Sequence, residues 1–116
     1  MNVESLIEEF SNDNRCYWLS PYDCGESYSK APHLSGVYII SSPVSGEIIY
    51  VGQSSNLSAR LRNHRVIKEL KVEQNQFNLS FYITERRHDL AILFEAIFLS
   101  KFLAKYGKLP KYNKKI

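Results

Sequence analysis

The residue least at home in its surroundings is Glu95. From Leu90 to Leu99 the sequence reads LAILFEAIFL, and every position except Glu95 is apolar. A helix apolar on most sides is a buried helix, and a carboxylate there is costly unless a cation meets it. Two structural readings meet that demand: a salt bridge, or an exit through a narrow solvent gap. The functional reading is a metal ligand or general base facing a cleft. Phe94, Phe98 and Phe102 recur at i, i+4 beside it and read as an aromatic core stripe.

Four more side chains carry chemistry. Arg60 and His64 are one i, i+4 step apart, which on a continuous helix puts both on one face about 40° apart. Taken singly they are surface residues. Together they have what one phosphate needs: bidentate hydrogen bonds from Arg, and a donor or proton carrier in His. Tyr38 and Tyr50 fall on two strands of a hairpin, where an aromatic pair also stabilises the sheet by itself. No Gly-rich phosphate loop and no Ser-His-Asp order is present. Cys16 and Cys24 are the only cysteines. Their spacing matches no zinc pattern, so they read as free thiols of a cytosolic protein.

The elements that must position these groups follow from periodicity and punctuation. Val3, Leu6, Ile7 and Phe10 share a face of a short amphipathic helix. Residues 11–32 are rich in Ser, Asp, Tyr and Gly and read as mostly irregular, with Trp18 and Leu19 anchoring them to the core. Val37–Ile40 and Ile48–Val51 form an antiparallel hairpin across the turn signals Pro43 and Ser45-Gly46. A helix starts near Ser55 or Asn56. Leu57 and Leu61 share one side of it, while Val66, Ile67 and Leu70 fall on another, so a bend or break is expected near His64–Arg65. Phe77, Leu79, Phe81 and Ile83 alternate with polar or amphipathic residues in a half-buried strand. Asp89–Tyr106 is the strongest helix, stopped by Gly107. The order α-β-β-α-α-β-α predicts a small α+β domain with a three-stranded antiparallel sheet flanked by helices. It lacks the parallel crossovers of a doubly wound fold.

Length and charge bound the function. The 116 residues hold one hydrophobic core. The net charge of +3 is lopsided: residues 1–29 carry −5 and residues 30–116 carry +8. A compact domain of that sign attracts polyanions, nucleic acid foremost. The chain divides accordingly into an acidic N-terminal arm, 1–29, and a basic domain, 30–116. MNVESLIEEF has neither a basic n-region nor an apolar h-region, and no apolar run approaches a membrane span, so a cytoplasmic protein without a membrane partner is expected.

In this order the residues resemble the GIY-YIG nuclease superfamily. Its first motif is matched by Gly36-Val37-Tyr38 and its second by Tyr50-Val51-Gly52, with eleven residues between the two tyrosines. The family's helix arginine falls on Arg60, ten residues past Tyr50, and its His or Tyr four further on is His64. Its third-helix glutamate falls on Glu95. Its terminal asparagine falls on Asn113, in LPKYNKK. The resemblance covers about residues 35–115. One departure is Gln53, where many members carry Lys after the second-motif glycine; Gln can hydrogen-bond a phosphate or water but brings no charge.

The resemblance implies hydrolysis of a DNA phosphodiester with a single divalent metal, Mg²⁺ or Mn²⁺, held by Glu95. One carboxylate suits Mg²⁺, which keeps several waters, and does not suit a two-metal site. It implies Arg60 against the phosphoryl charge, Tyr38 as first choice of general base with His64 assisting or relaying the proton, and Tyr50 positioning the water or phosphate. Asn113 would fix the site by hydrogen bonds. An unperturbed tyrosine is a poor base at neutral pH, so its phenolate needs stabilising.

The same reading leaves no room for a separate DNA reader. Either the domain binds DNA alone, or a second copy or a targeting partner directs it. Arg62 and Arg65 on the helices, Gln53, and Lys108, Lys111, Lys114 and Lys115 in the tail are the candidate DNA contacts. Tyr106 and Tyr112 interleave with the tail lysines and can stack on unpaired bases or pack in the core. The arm can pack on the sheet, mediate dimerisation or cover the basic face. The rival reading is a non-catalytic nucleic-acid-binding or interaction domain that keeps the fold.

Overall fold

The computed structural model describes residues 1–10, 16–22, 31–62, 64–73 and 77–113. In chain order these form α1 (Val3–Glu9), β1 (Tyr17–Tyr22), β2 (Ser35–Ser41), β3 (Ile48–Ser54), α2 (Leu57–Arg62), α3 (Arg65–Glu73), β4 (Asn78–Glu85) and α4 (His88–Tyr106). The strands make one antiparallel sheet in the order β1-β4-β2-β3.

β2 is the sheet's buried spine. Its run SGVYIIS is buried at every position, as a strand covered on both faces must be. Tyr38 and Ile40 point to one side with Leu79, Phe81 and Ile83, against Leu57 and Leu61 of α2 and Val66 and Ile67 of α3. Val37 and Ile39 point to the other with Val51 and Tyr82, against Leu6 of α1 and Phe98, Leu99 and Phe102 of α4. The period of two along β2 therefore feeds two separate cores, one on each face of the sheet, where length alone predicts one.

The α+β class is as the sequence predicts, but the sheet has four strands rather than three. The added strand, β1, lies in the stretch expected to be irregular. It is a short edge strand containing Pro21, which only an edge tolerates, and its pairing with β4 shifts register between Leu19 and Tyr22. Trp18 and Leu19 do anchor the stretch. The Trp18 indole donates to the Phe10 carbonyl at 2.5 Å and stacks on Phe98, while Leu19 joins the opposite core.

The helical region breaks where the apolar residues change sides. Asn56 accepts a hydrogen bond from the Ala59 amide at 3.2 Å, α2 ends at Arg62 and α3 begins at Arg65. His64 stands between the two helices, so the one-face geometry expected for Arg60 and His64 does not arise. α4 stops at Gly107, whose amide bonds the Leu103 carbonyl at 2.8 Å. It is less buried than its sequence suggests: Ala91, Phe98, Leu99 and Phe102 face inward, whereas Ile92, Leu93 and Leu103 are exposed. No described helix is long and apolar enough to cross a membrane. Cys16 is buried and in no disulfide among the described residues; Cys24 lies outside the described residues.

Candidate active site

The hairpin supplies the first two side chains. Tyr38 of β2 pairs with Gly52 of β3, and Ile40 pairs with Tyr50. The Tyr38 ring occupies the space a side chain at position 52 would fill: a Cβ there would lie 2.5 Å from the Tyr38 Cζ and hydroxyl and 2.8 Å from the Tyr50 ring. Glycine is therefore required at 52 by proximity to the two tyrosines. At position 36 a Cβ would come within 2.6 Å of the Tyr82 carbonyl, so the first-motif glycine is set by strand packing. The Tyr38 and Tyr50 rings stack at 5.8 Å.

The break between α2 and α3 supplies the third. His64 stands edge-on to both rings, 5.3 Å from Tyr38 and 5.1 Å from Tyr50. Its Nε2 lies 2.5 Å from the Tyr38 hydroxyl. Its Nδ1 accepts the Val66 amide hydrogen at 3.1 Å. A neutral imidazole has one donor and one acceptor nitrogen. With Nδ1 committed as acceptor, Nε2 carries the proton and donates to the Tyr38 oxygen.

Electrostatics keep both groups neutral. Burial, followed by the Tyr50 hydroxyl, raises the Tyr38 phenol well above the ordinary tyrosine range, while the Arg60 guanidinium pulls it back. Burial, then the charges of Arg60 and Arg65, lower His64 to about 4. Arg60 is itself exposed on α2. It thus joins the cluster as a solvent-facing charge acting on the two buried groups.

Glu95 lies on α4, which packs on the sheet face opposite Tyr38. It lies seven residues past His88, about 20° round the helix from it, in the stripe that buries Leu99 and Phe102. His88 touches β3, its Nε2 2.6 Å from the Gln53 amide oxygen, so this stripe faces the β3 side of the sheet. Burial raises the Glu95 carboxyl above the ordinary range. No ion pair reaches it among the described residues. A half-buried carboxylate without a protein cation is a group that a divalent ion satisfies. No group of three or more His, Cys, Asp or Glu is gathered among the described residues.

Asn113 closes the edge. β3 is an outer strand, and the backbone groups of Val51 point away from β2. The Asn113 side chain takes both: its Oδ1 accepts the Val51 amide at 2.9 Å and its Nδ2 donates to the Val51 carbonyl at 2.9 Å. The Tyr112 amide bonds the Ile49 carbonyl at 2.9 Å. The C-terminal segment thereby occupies the free edge beside Tyr50, as edge strands require for protection.

The other candidates are dispersed. Gln53 is turned to His88 on the α4 face, away from the tyrosine face. Arg62 donates to the Ser58 hydroxyl at 3.2 Å, and Arg65 pairs with Glu69 at 2.7 Å. Lys108 and Lys111 are exposed in the tail; Lys114 and Lys115 lie outside the described residues. Tyr112 is buried in the core beneath the tyrosine face, whereas Tyr106 stays 37% exposed, so only Tyr106 is open to a ligand. Sequence reasoning missed His88 and the Val66 amide. The first meets a partner on a distant strand, and the second is a backbone group; neither leaves a residue-type signal.

Comparison with known proteins shows the family. Residues 34–109 match the GIY-YIG catalytic domain family. UvrABC system protein C of Rickettsia typhi is 36% identical over 88 residues, covering 72% of this chain, and that of Rickettsia canadensis is 34% identical over the same length. The chain spans only 14% of the length of each. Among solved structures, the GIY-YIG N-terminal endonuclease domain of UvrC from Thermotoga maritima, bound to magnesium as its catalytic divalent cation, aligns with a TM-score of 0.54 and 29% identity. The alignment covers 76% of this chain and 92% of that domain.

Proposed function

Because the chain belongs to the GIY-YIG catalytic domain family, we propose that it is a DNA endonuclease that hydrolyses phosphodiester bonds with one divalent cation, Mg²⁺ or Mn²⁺. The observation that carries the reading is the buried Tyr38 hydroxyl in hydrogen bond with His64 beneath Gly52. A phenol serves as a base only as phenolate, and this one has a donor trained on its oxygen. His64 is then the group that steadies the Tyr38 anion, not the group that takes its proton, because Nδ1 is occupied by the Val66 amide.

The other roles follow from position. Tyr38 takes the proton of the attacking water. Tyr50, stacked on it and only partly buried, orients that water or the phosphate. Arg60, exposed and within electrostatic range of Tyr38, meets the charge that builds on the phosphoryl oxygens. Glu95 holds the divalent ion, which when bound stabilises the leaving 3′-oxygen. Asn113 holds β3, and with it Tyr50 and Gly52, in register.

Supercoiled plasmid incubated with the purified protein tests this reading. Nicked or linear product with Mg²⁺ or Mn²⁺, absent in EDTA, is expected. Binding without any cleavage in either metal would support the non-catalytic reading instead.

A further inference from the structure

The stripe of α4 that carries Glu95 continues toward the C-terminal end of the helix. Phe102 lies on it two turns on, and Tyr106 one turn beyond. Tyr106 lies eleven positions past Glu95, a rise of about 16 Å and so a few nucleotides of a single strand. Between this end of α4 and the start of β3 is a groove of about 390 Å³. Its floor is apolar, formed by Ile48, Phe102 and Leu109. The Tyr106 ring, tilted against Phe102 at 4.6 Å, forms a wall. Lys108 and Lys111 stand on the rim, and the Lys105 ammonium lies 5.6 Å from the Tyr106 ring centre. Glu47, also on the rim, is paired with the N-terminal ammonium at 3.5 Å.

We propose that this groove binds an unpaired nucleotide of the DNA strand a few positions from the cut, its base on the Tyr106–Phe102 rings and its phosphates on Lys108 and Lys111. The inference rests on the nuclease reading and adds a substrate class to it: DNA with unpaired bases beside the scissile phosphate. A base still paired in a duplex keeps its faces stacked on its neighbours, so only an unpaired base can lay a face against the Tyr106 wall. Charge complementarity selects the occupant: an apolar floor with an aromatic wall, rimmed by Lys108 and by Lys111, whose ammonium lies 5.3 Å from the Tyr112 ring centre, and with neither lysine in an ion pair among the described residues, suits a base with its phosphates and not an apolar peptide.

Fluorescence of a single-stranded oligonucleotide carrying 2-aminopurine, titrated in EDTA so that no cleavage occurs, tests the groove. Wild-type protein should quench the fluorophore on binding. Tyr106→Ala should weaken the affinity about tenfold and abolish quenching, Tyr106→Phe should restore both, and a blunt duplex should be little affected. Lys108→Gln with Lys111→Gln should flatten the salt dependence of binding while the melting temperature is kept. Unchanged affinity and quenching in Tyr106→Ala, or an equal loss on blunt duplex, overturns the proposal. Plasmid nicking by wild-type protein, run in parallel, separates the two failures: nicking with an indifferent Tyr106 removes the groove and leaves the nuclease.

Discussion

The proton on His64 is decided by a backbone amide. Residue types alone show that Tyr38 and His64 can exchange a proton. They do not show that Val66 donates to Nδ1 and so turns Nε2 into a donor. The consequence is a pH profile. The Tyr38 phenol is raised, so its base form grows through the whole accessible alkaline range, and the cleavage rate should climb about tenfold per pH unit across neutrality. His64, lowered to about 4, should add no acid limb near pH 6.5; a plateau above that pH would contradict the assignment. The same shift sets a stability window. Unfolded histidine binds a proton below about 6.5 and folded His64 does not until about 4. Stability is therefore complete above the upper value and falls as pH drops through the window. Acid melts of His64→Phe should lose that slope. Tyr38→Phe, which deletes only the hydroxyl, should cost about a hundredfold to ten-thousandfold in rate. Arg60→Ala should cost about a hundredfold to a thousandfold, with turnover equal to wild type counting against a phosphate role.

At the scale of elements, β3 explains why the site is where it is. It is an outer strand, and an outer strand has free backbone groups on one side. Asn113 satisfies those of Val51 with two bonds. Asn113→Ala should lower stability by about 1–2 kcal/mol in chemical denaturation, and the rate should fall through displaced Tyr50 and Gly52. Gly52→Ala should be more severe for activity, because its methyl would overlap the Tyr38 ring. The hairpin, the helix break and α4 are legible in the sequence from alternation, a change of apolar side and a glycine stop. β1 is not, since one Pro-containing edge strand without alternation looks like loop. Nor is the exposed side of α4, because Ile92 and Leu93 are the same residue types as their buried neighbours. Of the site, the Tyr38–Tyr50 hairpin pair is legible from strand positions, whereas spacing joins His64 to Arg60 on one helix face and the break after Arg62 turns it to the two tyrosines instead. The Gln53–His88 contact joins strand to helix across 35 residues and leaves no trace in local pattern.

At the scale of the molecule, the charge asymmetry has a structural counterpart. The acidic first residues are built into the same layers as the basic remainder. α1 packs on the α4 side, Glu9 pairs with Lys101, and β1 completes the sheet beside β4. A truncation beginning after residue 22 should therefore melt at lower temperature, because it uncovers the β4 edge and the Phe98 region; an unchanged melt would make the arm a mere appendage. The central claim is that the out-of-place carboxylate on α4 is the metal ligand of a nuclease. Glu95 has no protein cation to lose among the described residues, so Glu95→Ala should keep or raise the melting temperature. The most direct measurement is plasmid nicking in Mg²⁺ by Glu95→Ala beside wild type. A folded variant with cleavage abolished is the predicted result, and a folded variant that nicks at the wild-type rate contradicts the account.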